Sequence, residues 1–117
     1  MHILLTRPLE DSKELILSFK KKGLKVSHLP LLNIKKINYE PINFNNFNAI
    51  IFTSSNAIRN LNVALISKDI NCFCVGSGTE KIAKLNGFQN IFAAEGNVNN
   101  LKEIILKNLK HANKKIL

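Results

Sequence analysis

The chain has 117 residues, of which 45% are apolar and 21% charged, values typical of one globular domain with a hydrophobic core. This composition excludes an intrinsically disordered chain, which carries fewer apolar residues. No apolar stretch approaches the ~20 residues of a membrane-spanning helix, and the N-terminus has neither the basic region nor the cleavage site of a signal peptide. We therefore predict a cytoplasmic protein with no membrane partner.

The formal net charge of +9 raises the question of a polyanionic partner. Fifteen of the seventeen basic residues are lysines spread over the whole chain, and only residues 20–22 form a cluster. No recognition motif accompanies the charge, so we predict no nucleic-acid partner, and nucleic-acid binding is a hypothesis that rests on charge alone. An acidic small molecule is at least as compatible with this charge.

The first segment of the chain has the pattern of a strand, a helix and a second extended stretch. Residues 3–5 form an apolar run, and residues 10–12 are the acidic and capping residues expected at a helix start. The helix is expected to end at the lysine cluster and Gly23, and residues 24–32 are predicted to be extended. The apolar stripe of this predicted helix consists of Leu15, Ile16 and Phe19.

Residues 33–48 have a different composition from the segments on either side. They contain six asparagines, Pro41 and apolar residues that fit no single period. We predict an extended connector with one edge strand, at a boundary between structural units.

From residue 49 onward, apolar strands alternate regularly with helices. Strands are predicted at 49–53, 72–75 and 91–93, each followed by a polar turn and an amphipathic helix. Such alternation predicts a parallel sheet with right-handed crossovers, and therefore the α/β class with flavodoxin-like βα units. The apolar positions of the three helices are Ala57, Ile58, Leu61 and Leu65; Ile82, Ala83 and Leu85; and Leu101, Ile104, Ile105 and Leu109.

The two cysteines, Cys72 and Cys74, alternate with apolar residues in one of these strands. On a strand they point to the same face, with Phe73 and Val75 on the other. No histidine lies at the spacing of a zinc motif, so we predict buried, reduced thiols that pack as small apolar groups.

Three polar turns follow predicted strands, at 6–8, 53–56 and 76–79, and we expect all three at one edge of a parallel sheet. Hydroxyls and backbone N–H groups at helix starts bind anions, although the same residues also serve as simple turns and caps. The third turn lacks the last glycine of a dinucleotide motif because Lys81 occupies that position. The only two arginines, Arg7 and Arg59, lie near the first and second turns and suit carboxylate contacts, although Arg59 could simply face solvent. The residues alone therefore predict an anion-binding crevice without a nucleophile or a metal.

The chain ends in Lys114–Leu117, where the alternation predicts another buried strand. A frayed tail is one interpretation, and a longer chain interrupted in mid-strand is the other.

Several motifs occur in a fixed order between residues 3 and 97, and by them the chain resembles the uroporphyrinogen-III synthase family. None of them is diagnostic singly. They are Ile3–Pro8 with Asp11 and Ser12, Gly23, Pro30–Leu32, Ile51–Ala57, Val75–Thr79 and Ala94–Asn97.

The resemblance implies an enzyme that closes the linear tetrapyrrole hydroxymethylbilane into uroporphyrinogen III, inverting the last pyrrole ring and losing water. It implies no metal or organic cofactor, a typically monomeric protein, and two α/β domains with the active site between them. The corresponding segments are 1–32 in the first domain, 33–48 as the crossover and 49–117 in an incomplete second domain. No residue is assigned a catalytic role. The substrate-binding residues that it implies, together with the turn residues above, are Thr6, Arg7, Thr53, Ser54, Ser55, Asn56, Gly76, Ser77 and Thr79.

Family members are longer than this chain, so the resemblance implies an N-terminal part of a synthase that is inactive by itself and prone to self-association. A family tyrosine implicated in the reaction would lie in the missing part, and Tyr39 is not its counterpart. The alternative is a non-enzymatic flavodoxin-like module that binds an anionic small molecule. A reading frame that continues past Leu117 with further strands would favour the synthase, and a stop codon there would favour the module.

Overall fold

A computed structural model describes residues 1–109 and 115–117, and the chain divides into two compact units, 1–36 and 37–117. Every strand pair in both units is parallel, so the predicted α/β class is confirmed. Across the described residues, no helix combines the length and apolar character needed to cross a membrane. The predicted domain limits at 32 and 48 stay predictions.

The first unit consists of β1 (His2–Leu5), α1 (Leu9–Lys21) and β2 (Lys25–His28). The two strands form a separate sheet, in which Leu5 lies opposite His28. The more buried face of α1 carries Ser12, Ile16 and Phe19, whereas Leu15, expected in this stripe, is 42% exposed.

The start of α1 differs from the prediction that residues 10–12 supply its cap. Pro8 is the N-cap residue, and the Asp11 N–H donates to the Pro8 carbonyl at 3.1 Å. Ser12 lies inside the helix, where it is buried and donates its hydroxyl to the Arg7 carbonyl. Proline fits this position because it fixes φ and has no N–H to satisfy.

The second unit contains a three-stranded sheet with the order β3-β4-β5. Its elements are β3 (Ala49–Phe52), α2 (Ser55–Asn60), β4 (Asn71–Val75), α3 (Ser77–Leu85), β5 (Ile91–Ala94) and α4 (Val98–Asn108). Short 3₁₀ turns occur at Phe44–Asn46 and Val63–Leu65.

The connector at 33–48 forms no strand, so the predicted edge strand is wrong. Its one regular element is the 3₁₀ turn at Phe44–Asn46, in which the Asn43 side chain accepts a hydrogen bond from the Asn45 N–H. Asparagine side chains compete with backbone pairing in this way, which explains why an asparagine-rich segment does not extend a sheet.

The helix after β3 is shorter than its apolar pattern predicted. It ends at Asn60, and Leu65, expected on its inner face, is 66% exposed. The Asn60 amide donates to the Asn56 carbonyl, and the Asn62 N–H donates to the Tyr39 hydroxyl instead of continuing the helix. These local asparagine contacts end the helix after six residues.

Two apolar clusters cover the two faces of the β3-β4-β5 sheet. One cluster includes Ile58 of α2 and Ala83 of α3, and the other includes Leu101 of α4. The strand residues alternate between the clusters: Ile50, Phe52, Cys72 and Cys74 belong to the first, and Ala49, Phe73 and Ala94 to the second. A sheet covered on both faces explains the continuous apolar runs of its strands.

Both cysteines are free, fully buried and on one face of β4, as the sequence predicted. Their sulfur atoms are 3.8 Å apart. The hydrogen bond with Cys74, together with burial, raises the pKa of the Cys72 thiol above its ordinary value. This thiol therefore remains protonated and packs as an apolar group.

Residues 115–117 lie beside β3, on the side opposite β4. Ile116 forms an isolated parallel bridge with Ala49, and the Leu117 N–H donates to the Ala49 carbonyl at 3.0 Å. Parallel pairing at this point agrees with the expected next strand and excludes a frayed tail for these three residues. Lys114, included in that prediction, lies outside the described residues.

Candidate functional site

The carboxyl ends of β3, β4 and β5 form one edge of the second unit. Phe52 lies opposite Cys74, and Val75 lies opposite Ala94, so the three strands end at the same level. Adjacent strands are about 4.8 Å apart, and the turns that follow them are therefore close neighbours. The predicted turns at 53–56 and 76–79 are brought together at this edge.

The order of the strands reverses beside β3. From β3 the chain proceeds to β4 and β5 on one side, and residues 115–117 lie on the other side. The helices follow the same division, because α2 and α3 pack on one face of the sheet and α4 packs on the opposite face. In open α/β sheets such a reversal creates a crevice outside the carboxyl ends of the strands, where ligands bind.

The turn at this reversal is Thr53–Asn56. Ser54 is the N-cap of α2, and its hydroxyl accepts a hydrogen bond from the Asn56 N–H at 3.2 Å. Thr53 is exposed, and Ser55 is half-buried. The hydroxyl of Ser54 therefore has a structural role, while Thr53 presents its side chain to solvent.

Arg59 is exposed, and its guanidinium also contacts this turn. Its guanidinium donates to the Ser55 hydroxyl at 3.3 Å and to the Asn56 side-chain carbonyl at 3.1 Å. A positive charge is thus held against two polar side chains of the turn, an arrangement that suits a carboxylate.

The turn after β4 begins with Gly76, whose φ is +80° and ψ is 150°. Ser77 and Gly78 are exposed at the start of α3, whereas Thr79 is only 6% exposed. Thr79 is thus buried beneath the turn, and its hydroxyl, unlike that of Ser77, is not presented at the surface.

Two acidic residues lie near this edge. The Glu80 carboxylate pairs with Lys84 at 2.5 Å, and the backbone N–H of Glu95 donates to the side-chain carbonyl of Asn100 at 3.1 Å. Within residues 1–109 and 115–117, no three His, Cys, Asp or Glu side chains are grouped as a metal site would require.

Thr6 and Arg7 occupy the turn after β1 and belong to the other sheet. The expectation that all three turns share one sheet edge is therefore wrong, because residues 2–28 form a sheet of their own. The Arg7 guanidinium is 3.7 Å from the Asp11 carboxylate and its side chain is 70% exposed. Leu31 and Leu32, which line a surface groove with Pro8 and Leu9, are also exposed.

A family model described as uroporphyrinogen-III synthase HemD matches residues 13–117. The chain belongs to this family. No curated protein matches it. The match confirms the resemblance seen in the sequence. Uroporphyrinogen-III synthases are lyases of tetrapyrrole and heme biosynthesis, so the family assigns the chain to that area of metabolism. The matched range includes the turns at 53–56 and 76–79, while Thr6 and Arg7 precede it.

Proposed function

We propose that the chain binds the linear tetrapyrrole hydroxymethylbilane and serves in its closure to uroporphyrinogen III, with inversion of the last ring and loss of water. The observation that carries this proposal is the position of Thr53–Asn56 at the strand-order reversal, in a chain that belongs to the synthase family. An anionic ligand fits that crevice because Arg59 lies against the same turn.

The proposed substrate combines carboxylate side chains with apolar pyrrole rings. Arg7 and Arg59 offer guanidinium groups to carboxylates, and Thr53 and Ser77 offer exposed hydroxyls. The exposed Leu31 and Leu32 supply apolar surface near Arg7 for a pyrrole ring. Thr6, Ser54, Ser55, Asn56 and Gly76 complete the proposed substrate-binding set. The buried Thr79 contributes to it by supporting the turn after β4, not by direct contact with the substrate.

The proposed role of these residues is to order a flexible chain. Closure requires loss of the terminal hydroxyl to give an azafulvene, and inversion proceeds through a spiro intermediate. Holding the two ends of the tetrapyrrole together converts a conformational search into a unimolecular step. Fixed hydroxyl and N–H donors stabilise developing charge without a dedicated acid–base pair of side chains. The chain needs no cofactor in this scheme.

The wider arrangement is proposed on the same basis. Residues 1–32 belong to a first domain, 33–48 to a crossover and 49–117 to a second domain, in a monomeric cytoplasmic synthase. We propose that these 117 residues bind substrate but do not complete the reaction alone, and that in isolation they self-associate.

The test supplies freshly generated hydroxymethylbilane to the product of the whole reading frame and identifies the isomer formed. We expect type III product from the wild type and an about tenfold lower rate from a Thr53→Val variant, which removes one exposed hydroxyl donor. Ser67→Ala is the matched control, because Ser67 precedes β4 and lies toward the opposite end of the sheet. Formation of the spontaneous type I isomer alone would contradict the proposal.

A further inference from the structure

The carbonyl of Arg7 accepts hydrogen bonds from two side chains that belong to different elements. The Ser12 hydroxyl, on α1, donates to it at 3.2 Å, and the His28 ring nitrogen Nε2, on β2, lies 2.8 Å from it. Ser12 is 1% exposed, so its hydroxyl is committed to this contact rather than to solvent. The turn after β1 is thereby tied both to the helix that follows it and to the neighbouring strand.

The two preceding carbonyls are also engaged. The Leu29 N–H donates to the Leu5 carbonyl at 2.8 Å, and the Leu31 N–H donates to the Thr6 carbonyl at 2.9 Å. Three successive carbonyls therefore accept hydrogen bonds at the point where the chain leaves the sheet. The backbone is thereby held at three successive residues, which fixes the point from which the Arg7 side chain extends.

The contact defines the tautomer of His28, because a carbonyl oxygen only accepts and Nε2 must therefore carry the hydrogen. The other histidine of the sheet offers a direct comparison. His2 lies opposite Lys25 at the far end of the same two strands, and its Nε2 contacts the Ser27 hydroxyl at 2.9 Å. The two rings make contacts of similar length, but only that of His28 reaches the turn of Arg7.

We propose that His28 and Ser12 are positioning residues, which hold the turn of Arg7 so that its guanidinium is presented to a carboxylate of the tetrapyrrole. This inference rests on the proposed function. The Asp11 carboxylate, one helical turn from Arg7, lies 3.7 Å from the guanidinium. A turn held in advance loses less backbone freedom on binding, which improves affinity without a new contact.

The test compares His28→Leu, which removes the donor, with His28→Gln, whose amide nitrogen replaces Nε2. His2→Leu is the matched control at the other end of the sheet. The first measurement is the ¹⁵N order parameter of the Arg7 amide. We expect a fall from about 0.85 to below about 0.6 in His28→Leu, and a value near that of the wild type in the other two variants.

The second measurement is the dissociation constant for uroporphyrin III, a stable porphyrin polycarboxylate whose fluorescence reports binding. We expect binding about fivefold weaker in His28→Leu, comparable to the loss of one hydrogen bond, and restored in His28→Gln. Ser12→Ala changes the side-chain volume very little and is expected to show the same two effects. It therefore replaces His28→Leu in the test if that variant does not fold.

Unchanged order parameters and affinity in both His28→Leu and Ser12→Ala would overturn the proposal, as would failure of His28→Gln to restore them. Failure of the proposed function has a different signature. In that case the wild type itself would not bind uroporphyrin III, while His28→Leu would still loosen the turn.

Discussion

Replacing Phe73 by alanine is expected to lower the free energy of unfolding by about 3–5 kcal/mol. Phe73 is fully buried on the central strand β4, where its ring stacks on that of Phe92 with centroids 5.2 Å apart. It fills the space between the sheet and α4, so truncation leaves a cavity that the strands on either side prevent from collapsing. Urea denaturation followed by circular dichroism measures the change.

Leu85→Ala is the matched control for this substitution. Leu85 lies in the last position of α3 and is 74% exposed, so the same kind of truncation is expected to change stability by no more than about 0.5 kcal/mol. Equal losses in the two variants would show that α4 does not cover the sheet face that carries Phe73.

Replacing Gly76 by alanine is expected to destabilise the protein by about 1–3 kcal/mol through the backbone alone. With φ at +80° and ψ at 150°, Gly76 lies in a region that residues with a side chain rarely enter. Beyond the two residues that flank Gly76, a methyl group at this position would meet no atom within 4 Å, so the cost comes from the local backbone and not from tertiary packing. The thermal midpoint of unfolding measures the effect.

Gly78→Ala, two residues further along the chain, is expected to change the stability in the opposite direction. Gly78 also has open space around it, but it lies in α3 and is not among the glycines with positive φ. Alanine in a helix is favoured over glycine by about 0.5–1 kcal/mol, so this variant is expected to be more stable than the wild type. A destabilised Gly78→Ala together with a neutral Gly76→Ala would contradict the backbone geometry of the turn.

The strands of the second unit were predictable because each is an apolar run that ends in a polar turn. Cys72–Val75 shows this most clearly: the alternation of its side chains between two apolar clusters follows from strand geometry alone. The end of α2 was not predictable from apolar spacing, since Leu61 and Leu65 continue a helical period. There, hydrogen bonds of Asn60 and Asn62 decided the outcome.

The site was predictable where it depends on local sequence. Thr53–Asn56 and the start of α3 follow their strands directly, and a parallel sheet necessarily brings their ends to one edge. The strand-order reversal depends on the pairing of Ile116 with Ala49, a contact between residues far apart in the chain. No local pattern encodes such a contact.

His28 was missed because a single histidine among scattered ones has no motif. The available signal was its position as the last residue of β2, two residues after the half-buried Val26 and therefore on the same face of the strand. The residues alone also did not predict the separate sheet of the first unit, although the family resemblance placed residues 1–32 in a domain of their own. The apolar residues of the strands at 3–5 and 49–53 do not indicate whether these two strands pair with one another.

The central claim is that ligand binds at the carboxyl ends of the strands, beside β3. The most direct measurement is the change in ¹H–¹⁵N chemical shifts when uroporphyrin III is added to the labelled protein. The predicted result is that the largest changes occur at Thr53–Asn56, Ser77 and Gly78. The contradicting result is shift changes concentrated at the amino ends of β4 and β5, around Asp69–Asn71 and Asn90, with none at Thr53–Asn56.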